Sequence, residues 1–434
     1  MIRIAEAKHA VVKEPLLSPF GFKGAYLTEL WQSVAMLRGE EGSTGIGVGV
    51  QSVLWSDARV FVSAGEAAGN ELMAGITRCA LEAARRGGEF ATPLELLERI
   101  YPEALAFGMK SAGLPDLRST FALNALVTVD HAAWALYAKQ KRLPFERLVP
   151  EEYRSALAGR QDELAGIPLI PYGMAEDEIR QVLDDGYFLL KIKVGADPDR
   201  DGSQDKMLEW DCARLTHIHA IASTYETEHT LNGKIAYYLD ANGRYDGKDR
   251  LLRLLDHADR IGALDNIALF EEPFPEEAKL DVSDVPVRLA ADESVHDAHD
   301  ALERIELGYG ALALKPVAKT MSMSLKVAKL AQSKGVPCFC ADLTANPVLA
   351  DWNKTLAARL APLPGFRIGV VETNGHQNYR DWERMKSWHP RAGADWIDAR
   401  KGVYRLEAPF YETNGGALEA GGPYESLFEG GKRA

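Results

Sequence analysis

Two segments, Phe188-Leu-Leu-Lys-Ile-Lys-Val194 and Ile235-Ala-Tyr-Tyr-Leu-Asp240, are short, apolar and rich in residues that favour strands. Nearly continuous apolar runs of this length are typical of parallel strands that are buried on both faces. The later segment 251–261 instead places leucines at helical spacing on one side and charged residues on the other. We therefore expect strands and helices to alternate in this part of the chain.

The alternation extends in both directions from these segments, and it recurs about eight times. Consecutive units of this kind predict an α/β fold with a (β/α)8-type barrel, either regular or in a modified (β/α)7β form. The predicted strands are Ile167 to Tyr172, Phe188 to Val194, Ile235 to Asp240, Ala268 to Glu271, Arg288 to Ala291, Ala311 to Lys315, Pro337 to Ala341 and Phe366 to Val371.

The two ends of the chain lack this alternation. Residues 1–135 predict an α+β capping domain, with short strands at the start, a loop from Pro15 to Gly24, a glycine-rich strand from Gly45 to Trp55 and helices from about Asn70. Residues 136–400 form the predicted catalytic barrel. Residues 401–434 have little helical character, and we expect them to return as strands or loops that complete the cap.

Composition excludes several functional classes. The chain has 434 residues, of which 46% are hydrophobic, so a large core is available and disorder is excluded as the main state. Its formal charge of −13 (50 basic minus 63 acidic residues) disfavours nucleic acid and anionic lipid as partners. No apolar run approaches the length of a membrane span, and the first residues do not have the character of a signal peptide, so we predict a cytoplasmic location.

Charged residues end five of the predicted strands, and functional side chains of such barrels cluster at the strand ends. Three of these residues, Asp240, Glu271 and Asp292, are carboxylates on successive strands. A single carboxylate at such a place is more often a solvated turn residue or a helix cap. Three in register would repel one another without a cation, and hard oxygen ligands suit Mg²⁺, with Mn²⁺ as the alternative.

Lysines lie on both sides of these carboxylates in the strand order. Lys191 and Lys193 are two residues apart on one strand and therefore face the same side, and Lys315 ends the strand across the predicted barrel. A neighbouring ammonium and a nearby divalent cation both disfavour the charged form of an amine. One of these lysines is therefore predicted to act as a base near neutral pH, with Lys315 serving the other face of a substrate.

The order Lys-x-Lys, Asp-x-Asn, Glu-x-Pro, Asp-Glu-Ser and a later Lys resembles the enolase superfamily, and specifically its muconate-lactonizing-enzyme-like subgroup. In this chain the order corresponds to 191–193, 240–242, 271–273, 292–294 and Lys315. Residues 129–136, Val-Asp-His-Ala-Ala-Trp-Ala-Leu, are similar to the helix that leads from the capping domain of that family into its barrel.

The resemblance implies a common partial reaction, in which a base removes the proton α to a substrate carboxylate and Mg²⁺ holds the resulting enediolate. It assigns the metal to Asp240, Glu271 and Asp292, the base to Lys193, and the acid or base on the other face to Lys315. Lys191 then lowers the pKa of Lys193 and contacts the substrate carboxylate. Asn242 and Glu293 are expected behind the ligands, where they orient a ligand or a lysine.

The remainder of the substrate is expected to meet the ends of the last two strands and the cap. Asp342 and Glu372 end those strands and could bind an ammonium group or sugar hydroxyls, although Asp342 is equally compatible with a helix N-cap. Phe20, Phe22 and Lys23 belong to a glycine-flanked loop predicted to close as a lid, and Trp55 is predicted to join it.

Three functions remain open on these grounds. The resemblance favours a racemase, epimerase or cycloisomerase that acts on a small-molecule carboxylate, and we also expect a homo-oligomer. The alternative is an acid-sugar dehydratase on the same scaffold, which commonly uses a histidine at the seventh strand; this chain has Asp342 there. A barrel that binds a ligand without catalysis is disfavoured, because every site position carries a competent residue type.

Overall fold

A computed structural model describes residues 1–22 and 25–429, with the side chains of all of these except residues 20–22 and 25. The chain begins with an antiparallel sheet in the order β1-β2-β3, followed by four helices. These elements are β1 (Ile4–Phe22), β2 (Ala25–Gly39), β3 (Thr44–Gln51), α1 (Val53–Ser56), α2 (Ala58–Arg86), α3 (Pro93–Ala112) and α4 (Ser119–Lys141).

The first two strands are long, and the predicted loop from Pro15 to Gly24 is wrong for its described residues. β1 continues through Pro15 to Phe22 at the edge of the sheet and pairs with β2, with a register shift between Pro15 and Phe20, while its outer side makes an isolated bridge from Leu16 to Tyr379. An edge strand tolerates proline because its outer side donates no ladder hydrogen bond. Pro15 therefore marks the register shift in the pairing of β1 with β2, and it does not mark a loop. The helical region also begins earlier than predicted, with α1 at Val53, and α2 follows at Ala58, where the Asp57 carboxylate accepts from the Arg59 N–H at 3.0 Å.

The glycine-rich segment is a strand, as predicted, but the strand ends at Gln51, and Trp55 belongs to α1. The glycines of the strand are required by a helix that lies directly on it. A Cβ atom on Gly45 would come within 2.3 Å of the Ala132 carbonyl oxygen, and one on Gly47 within 2.2 Å of the Thr128 carbonyl oxygen. β3 and α4 thus pack backbone against backbone. This contact buries nearly the whole length of α4.

The second sheet contains the predicted barrel strands and β13 (Val403–Arg405), in the order β13-β4-β12-β11-β10-β9-β8-β7-β6-β5. Its elements and their connections are α5 (Phe145–Leu148), β4 (Glu163–Ile167), β5 (Leu169–Ile170), α6 (Glu176–Asp184), β6 (Leu189–Lys193), α7 (Gln204–Ala222), β7 (Ala236–Asp240), α8 (Lys248–Arg260), β8 (Ile267–Glu271), β9 (Leu289–Ala291), α9 (Ala298–Glu306), β10 (Ala311–Leu314), α10 (Pro316–Lys319), α11 (Met321–Ser333), β11 (Cys338–Cys340), α12 (Pro347–Ala357), β12 (Gly369–Glu372), α13 (Gly375–Asn378) and α14 (Trp382–Ser387).

The sheet curls until its two ends meet at Pro168. β4 pairs with β12 up to Ile167, and β5 pairs with β6 from Leu169 onward, so the chain crosses from one end of the sheet to the other within two residues. If β4 and β5 are counted as one strand, the barrel has eight parallel strands in the described chain. The connection between β8 and β9, residues 272–288, contains no helix and is the irregular unit.

The last residues differ from the prediction in two respects. β13 (Val403–Arg405) pairs antiparallel with β4 and so joins the barrel sheet. Two helices, α15 (Ala408–Thr413) and α16 (Pro423–Ser426), lie in a segment that was expected to have little helix. Between them, a 3₁₀ turn at Asn414–Glu419 reaches the first region, where the Ala417 carbonyl oxygen lies 2.9 Å from Nε2 of His131. No described helix is both long and apolar enough to cross a membrane.

Asp130 connects α4 to the barrel. Its carboxylate accepts hydrogen bonds from the backbone N–H groups of Met321 and Ser322, at 3.0 and 3.2 Å, and from the Ser322 hydroxyl. Trp134, one turn further along α4, donates from Nε1 to the same hydroxyl at 3.0 Å. Two residues of the sequence motif 129–136 therefore hold the start of α11 against the first region.

We expect Asp130→Ala to lower the free energy of unfolding by about 2–4 kcal/mol, because two buried N–H groups lose their acceptor. Urea denaturation near pH 4 measures this, and Asp130→Asn, which keeps an acceptor oxygen and is neutral like the buried carboxyl at that pH, should change it by less than about 1 kcal/mol there. Equal losses in both variants would contradict the role of the hydrogen bonds.

The difference in stability between wild type and Asp130→Asn should depend on pH. Burial raises the pKa of Asp130 from 3.8 to about 7. The folded state therefore binds this proton more tightly than the unfolded state does. The resulting stabilisation is complete below pH 3.8 and is lost as the pH rises through about 7. Wild type should therefore lose stability relative to Asp130→Asn across this interval.

Candidate active site

The strand ends bring most of the predicted site residues into one pocket. The register pairs Lys193 with Asp240 and Asp240 with Glu271, so side chains predicted from separate motifs become neighbours at the same edge of the barrel. Predicted residues that line this pocket are Lys191, Lys193, Asp240, Asn242, Glu271, Lys315, Asp342, Glu372 and Trp55. Asp292 and Glu293 adjoin it through contacts with Lys315 and Asn242.

Lys191 lies at the centre of the pocket floor. Its Nζ is 3.1 Å from Asp240 Oδ2, 3.1 Å from Glu271 Oε2 and 3.0 Å from Glu372 Oε2. Burial alone would lower the pKa of Lys191, but these carboxylates outweigh it and hold the pKa well above its ordinary value. Lys191 is therefore a fixed positive charge against which an anionic substrate group could be placed.

Lys193 lies one step further along the same strand, toward the mouth. Its Nζ is 2.6 Å from Asp240 Oδ2 and 2.5 Å from Asn242 Oδ1. The Asn242 amide donates in turn to Glu293 Oε1 at 2.9 Å, and its backbone has a φ of 46°. Asn242 therefore connects the lysine of β6 to a carboxylate that follows β9.

Lys315 occupies the other side of the pocket. β6 and β10 are four strands apart in the eight-stranded barrel, so Lys193 and Lys315 come from opposite walls. The Lys315 ammonium contacts the carboxylate of Asp292 and lies 4.6 Å from the centroid of the Trp55 ring. Burial lowers the pKa of Lys315, but Asp292 and the neighbouring glutamates raise it above its ordinary value.

Three buried carboxylates in the pocket region form a group that could hold a metal ion: Glu271, Asp292 and Glu293 each offer an oxygen within 4.8 Å of the others. Glu271 Oε1 and Glu293 Oε2 have no hydrogen-bond partner among the described residues. Burial, with repulsion from Asp292 and Glu293, raises the pKa of Glu271 well above its ordinary value. A divalent cation would bind the oxygens that lack a partner and would reduce the repulsion between the carboxylates.

This group differs by one residue from the set expected as ligands. Glu293, which was expected behind the ligands, lies within the group, while Asp240 directs its carboxylate to the two lysines of the adjacent strand. Asp240 Oδ1 also accepts from the Asn242 N–H at 3.0 Å. The assignment of Asp240 as a ligand therefore stays a prediction.

Asp342 and Glu372 lie together at the ends of β11 and β12. Asp342 accepts from the backbone N–H groups of Leu343 and Ala345, at 2.8 and 3.0 Å, and from that of Asn374 at 2.8 Å. Burial, assisted by the charge of Glu372, raises the pKa of Asp342 to about 6. Asp342 fixes the turn after β11 and is not the N-cap of α12, which is Asn346.

The first region covers the pocket. Trp55 on α1 is 5% exposed, and the hairpin of β1 and β2 contributes Leu16, Leu27 and Leu30 to the lining. The backbone of Phe20 and Phe22 belongs to β1, and Lys23 and Gly24 lie outside the described residues. The role of the segment from Phe20 to Gly24 as a lid stays a prediction.

A comparison with protein families matches residues 174–393 to the family described as enolase C-terminal domain-like. The match covers just over half of the chain and includes every predicted metal ligand and the three predicted catalytic lysines. The chain belongs to this family. The resemblance inferred from the strand-end motifs is thereby confirmed.

Curated relatives in the same superfamily are isomerases by name. The chain is 28% identical to muconate cycloisomerase 1 of Rhodococcus opacus over 282 residues, which are 60% of this chain and 66% of the relative. It is 27% identical to hydrophobic dipeptide epimerase of Enterococcus faecalis over 273 residues, 58% of this chain and 69% of that one. The chain thus spans about two thirds of the length of these relatives.

A solved structure extends the likeness over nearly the whole fold. Dipeptide epimerase from Enterococcus faecalis V583, solved with Mg and the dipeptide L-Leu-L-Tyr, matches 93% of this chain and 97% of its own, with a TM-score of 0.64 and 19% identity. The enolase-superfamily fold, a barrel with a capping domain, is therefore shared, and the predicted barrel with an α+β cap is confirmed at this level.

Two charged residues of the site were missed by the sequence analysis. Glu272 accepts from the Asp292 N–H at 2.8 Å and from the Ser294 hydroxyl at 3.0 Å, and so shapes the turn that carries Asp292. Lys319 contacts Asp292 Oδ1 at 3.3 Å and donates to the Val295 carbonyl at 2.8 Å. The sequence signal for Lys319 was its distance of four residues from Lys315, because residues about one helical turn apart lie on the same side of a helix.

Proposed function

We propose that this protein removes the proton α to the carboxylate of a small substrate through a metal-stabilised enediolate, as a racemase, epimerase or cycloisomerase. The observation that carries the proposal is the pair Lys193 and Lys315 on opposite walls of one pocket, with buried carboxylates between them. Proton transfer to and from the two faces of an α-carbon needs two such groups on opposite sides.

The acidic group fits a divalent cation, Mg²⁺ or in its place Mn²⁺. Glu271 and Asp292 would hold it, together with Asp240 as the resemblance implies, and Glu293 adjoins them with an orphaned oxygen. When bound, the cation supplies positive charge that neutralises the charge developing on the substrate carboxylate.

Each of the other residues has a role that follows from its contacts. Lys191 holds the substrate carboxylate by its fixed positive charge, and Lys193 takes the α-proton when its amine is neutral. Asn242 orients Lys193 through the contact at 2.5 Å, and Lys315 gives or takes a proton on the opposite face. Trp55 and the apolar side chains of the cap exclude water, which strengthens these interactions.

Isomerisation is favoured over acid-sugar dehydration by the absence of a suitable histidine. No histidine lines the pocket among the described residues, and Asp342 at the end of β11 is occupied by three backbone N–H groups. The names of the curated relatives point to dipeptides and to muconate-like acids as the substrate classes to test first.

Deuterium exchange tests the proposed reaction. We expect incubation with Mg²⁺ in D₂O to place deuterium at the α-carbon of some member of a panel of dipeptides, N-acyl amino acids and sugar acids. The label is read by NMR, and the same panel without divalent cation is the control. Loss of a hydroxyl as water without α-exchange would favour the dehydratase, and no exchange across the panel would contradict the proposal.

The domain division also belongs to the proposal: a cap from residues 1–135, a barrel from 136–400, and a tail from 401–434 that packs back on the cap. The contact between Ala417 and His131 supports it, although β13 of the tail pairs with the barrel. Association into a homo-oligomer stays a prediction, which light scattering would test.

A further inference from the structure

A second cavity opens from the pocket, with a volume of about 690 Å³. Lys193, Asn242 and Leu169 line both spaces, so a molecule that reacts at Lys193 can extend into the second one. We call this space the arginine subsite, after Arg200 and Arg244 in its wall; Tyr172 and Trp210 line it as well. The proposed reaction assigns no role to these four residues.

Both arginines lack a close carboxylate partner within the described chain. Arg244 approaches Asp197 only to 4.0 Å, and Arg200 donates to the neutral Tyr26 hydroxyl at 3.1 Å. The two acids in the wall have closer partners, since Glu178 accepts from the Ala175 N–H at 2.7 Å and Asp197 from the Gly202 N–H at 3.1 Å. The subsite therefore offers guanidinium donors that its own carboxylates leave largely unmatched.

The position of Arg244 is built into the backbone. It follows Asn242 and Gly243, which have φ values of 46° and 73°, and its carbonyl accepts from the Gln204 amide at 3.1 Å. Gly195 lies so close that a Cβ there would be 3.0 Å from the Arg244 Cβ. The backbone of Arg244 is thus held in place beside the end of the strand that carries Lys193.

A fully buried aspartate, Asp211, holds the backbone of Gly195 beside Arg244. Asp211 accepts from the Gly195 N–H at 2.9 and 2.8 Å and from the Tyr245 hydroxyl at 2.8 Å. These bonds anchor the start of the loop that leads to Arg200. Tyr172 and Trp210 meet edge to face, with ring centroids 5.6 Å apart, and add an apolar surface to the cavity that the arginines line.

We propose that the arginine subsite binds a second carboxylate at the far end of the substrate, so that the substrate is a dicarboxylate with an apolar connecting segment. The planar guanidinium matches a carboxylate with paired hydrogen bonds, which Lys193, engaged with Asp240 and Asn242, does not offer. This inference rests on the proposed function for the reacting end, and it names the substrate class.

Matched acid and amide ligands test it. The probes are N-succinyl derivatives of alanine, leucine and phenylalanine, each paired with the N-succinamyl compound, in which the distal carboxylate is an amide of the same shape. Calorimetry with Mg²⁺ should show the acid binding about 10- to 100-fold more tightly, as expected for a charged hydrogen-bonded contact. In Arg244→Gln and Arg200→Gln this ratio should fall to within about threefold.

Arg85→Gln is the matched control, because Arg85 lies on α2, pairs with Glu82 and lines neither cavity. It should keep the ratio of wild type. Arg200 lies on an exposed loop, so its variant remains informative if Arg244→Gln does not fold.

The outcomes separate the two proposals. Equal binding of acid and amide, binding of neither, or a ratio unchanged in both arginine variants would overturn the dicarboxylate assignment. A clear preference for the acid without α-deuterium exchange would instead sustain the subsite and contradict the reaction. Exchange without any preference would sustain the reaction alone.

Discussion

Replacing Lys193 or Lys315 by alanine is expected to lower kcat for racemisation or epimerisation by about 10³-fold, because each lysine supplies the proton transfer on one face. Exchange of the α-proton should respond differently. Lys193→Ala should still exchange the enantiomer whose proton faces Lys315, and Lys315→Ala the other one. Polarimetry measures turnover, and NMR in D₂O measures exchange for each enantiomer separately.

Two sets of variants control this experiment. Lys193→Arg and Lys315→Arg keep a positive charge beside Asp240 and Asp292 but cannot supply a neutral amine, so they should be as inactive as the alanine variants. Lys279→Ala removes an exposed lysine paired with Glu303 and should leave turnover unchanged. Equal loss of exchange from both enantiomers in each single variant would contradict the assignment of one lysine to each face.

Replacing Asp292 by asparagine should have the second large effect, on two properties at once. Removal of a charged ligand should weaken Mg²⁺ binding by about 100-fold, measured by calorimetry. The metal-free protein should also lose about 3–5 kcal/mol of unfolding free energy, because the buried ammonium groups of Lys315 and Lys319 lose their counter-charge. Unchanged metal affinity would exclude Asp292 as a ligand.

Glu271→Gln separates these two properties. The substitution removes a buried carboxylate whose pKa is raised by burial and by repulsion from Asp292, and Lys191 keeps Asp240 and Glu372 as partners. We therefore expect a higher melting temperature for the metal-free protein together with weaker Mg²⁺ binding. Asp284→Asn, at an exposed carboxylate paired with Lys248, should change neither. A lower melting temperature would show that Glu271 stabilises the metal-free fold.

Much of the barrel and its strand ends could be predicted because the signal is local. Ile235 to Asp240 is apolar until its last residue, and the strand ends at that residue. The same holds for the strand that ends at Glu271. A charged residue placed directly after a buried run has few positions to occupy, since only the end of the strand reaches solvent or a polar pocket.

The cap was harder to predict, because its decisive contacts are distant in sequence. Pro15 and the nearby glycines gave a strong local signal for a loop, yet pairing with β2 holds the segment as an edge strand. Leu16, Leu27 and Leu30 gave no functional signal, because an apolar residue in a hairpin is normally part of a core. Their place in the pocket follows from how the hairpin lies across the barrel mouth.

The sequence by itself determined the family, the order of strands and helices in the barrel, and the charged residues that end its strands. These features depend on composition and spacing over a few residues. Only the tertiary structure decided that Glu293 joins Glu271 and Asp292 while Asp240 turns to the lysines, and that Arg200 and Arg244 share a cavity with Lys193. The physical reason is that charges interact through space, so their partners are set by which loops the closed barrel brings together.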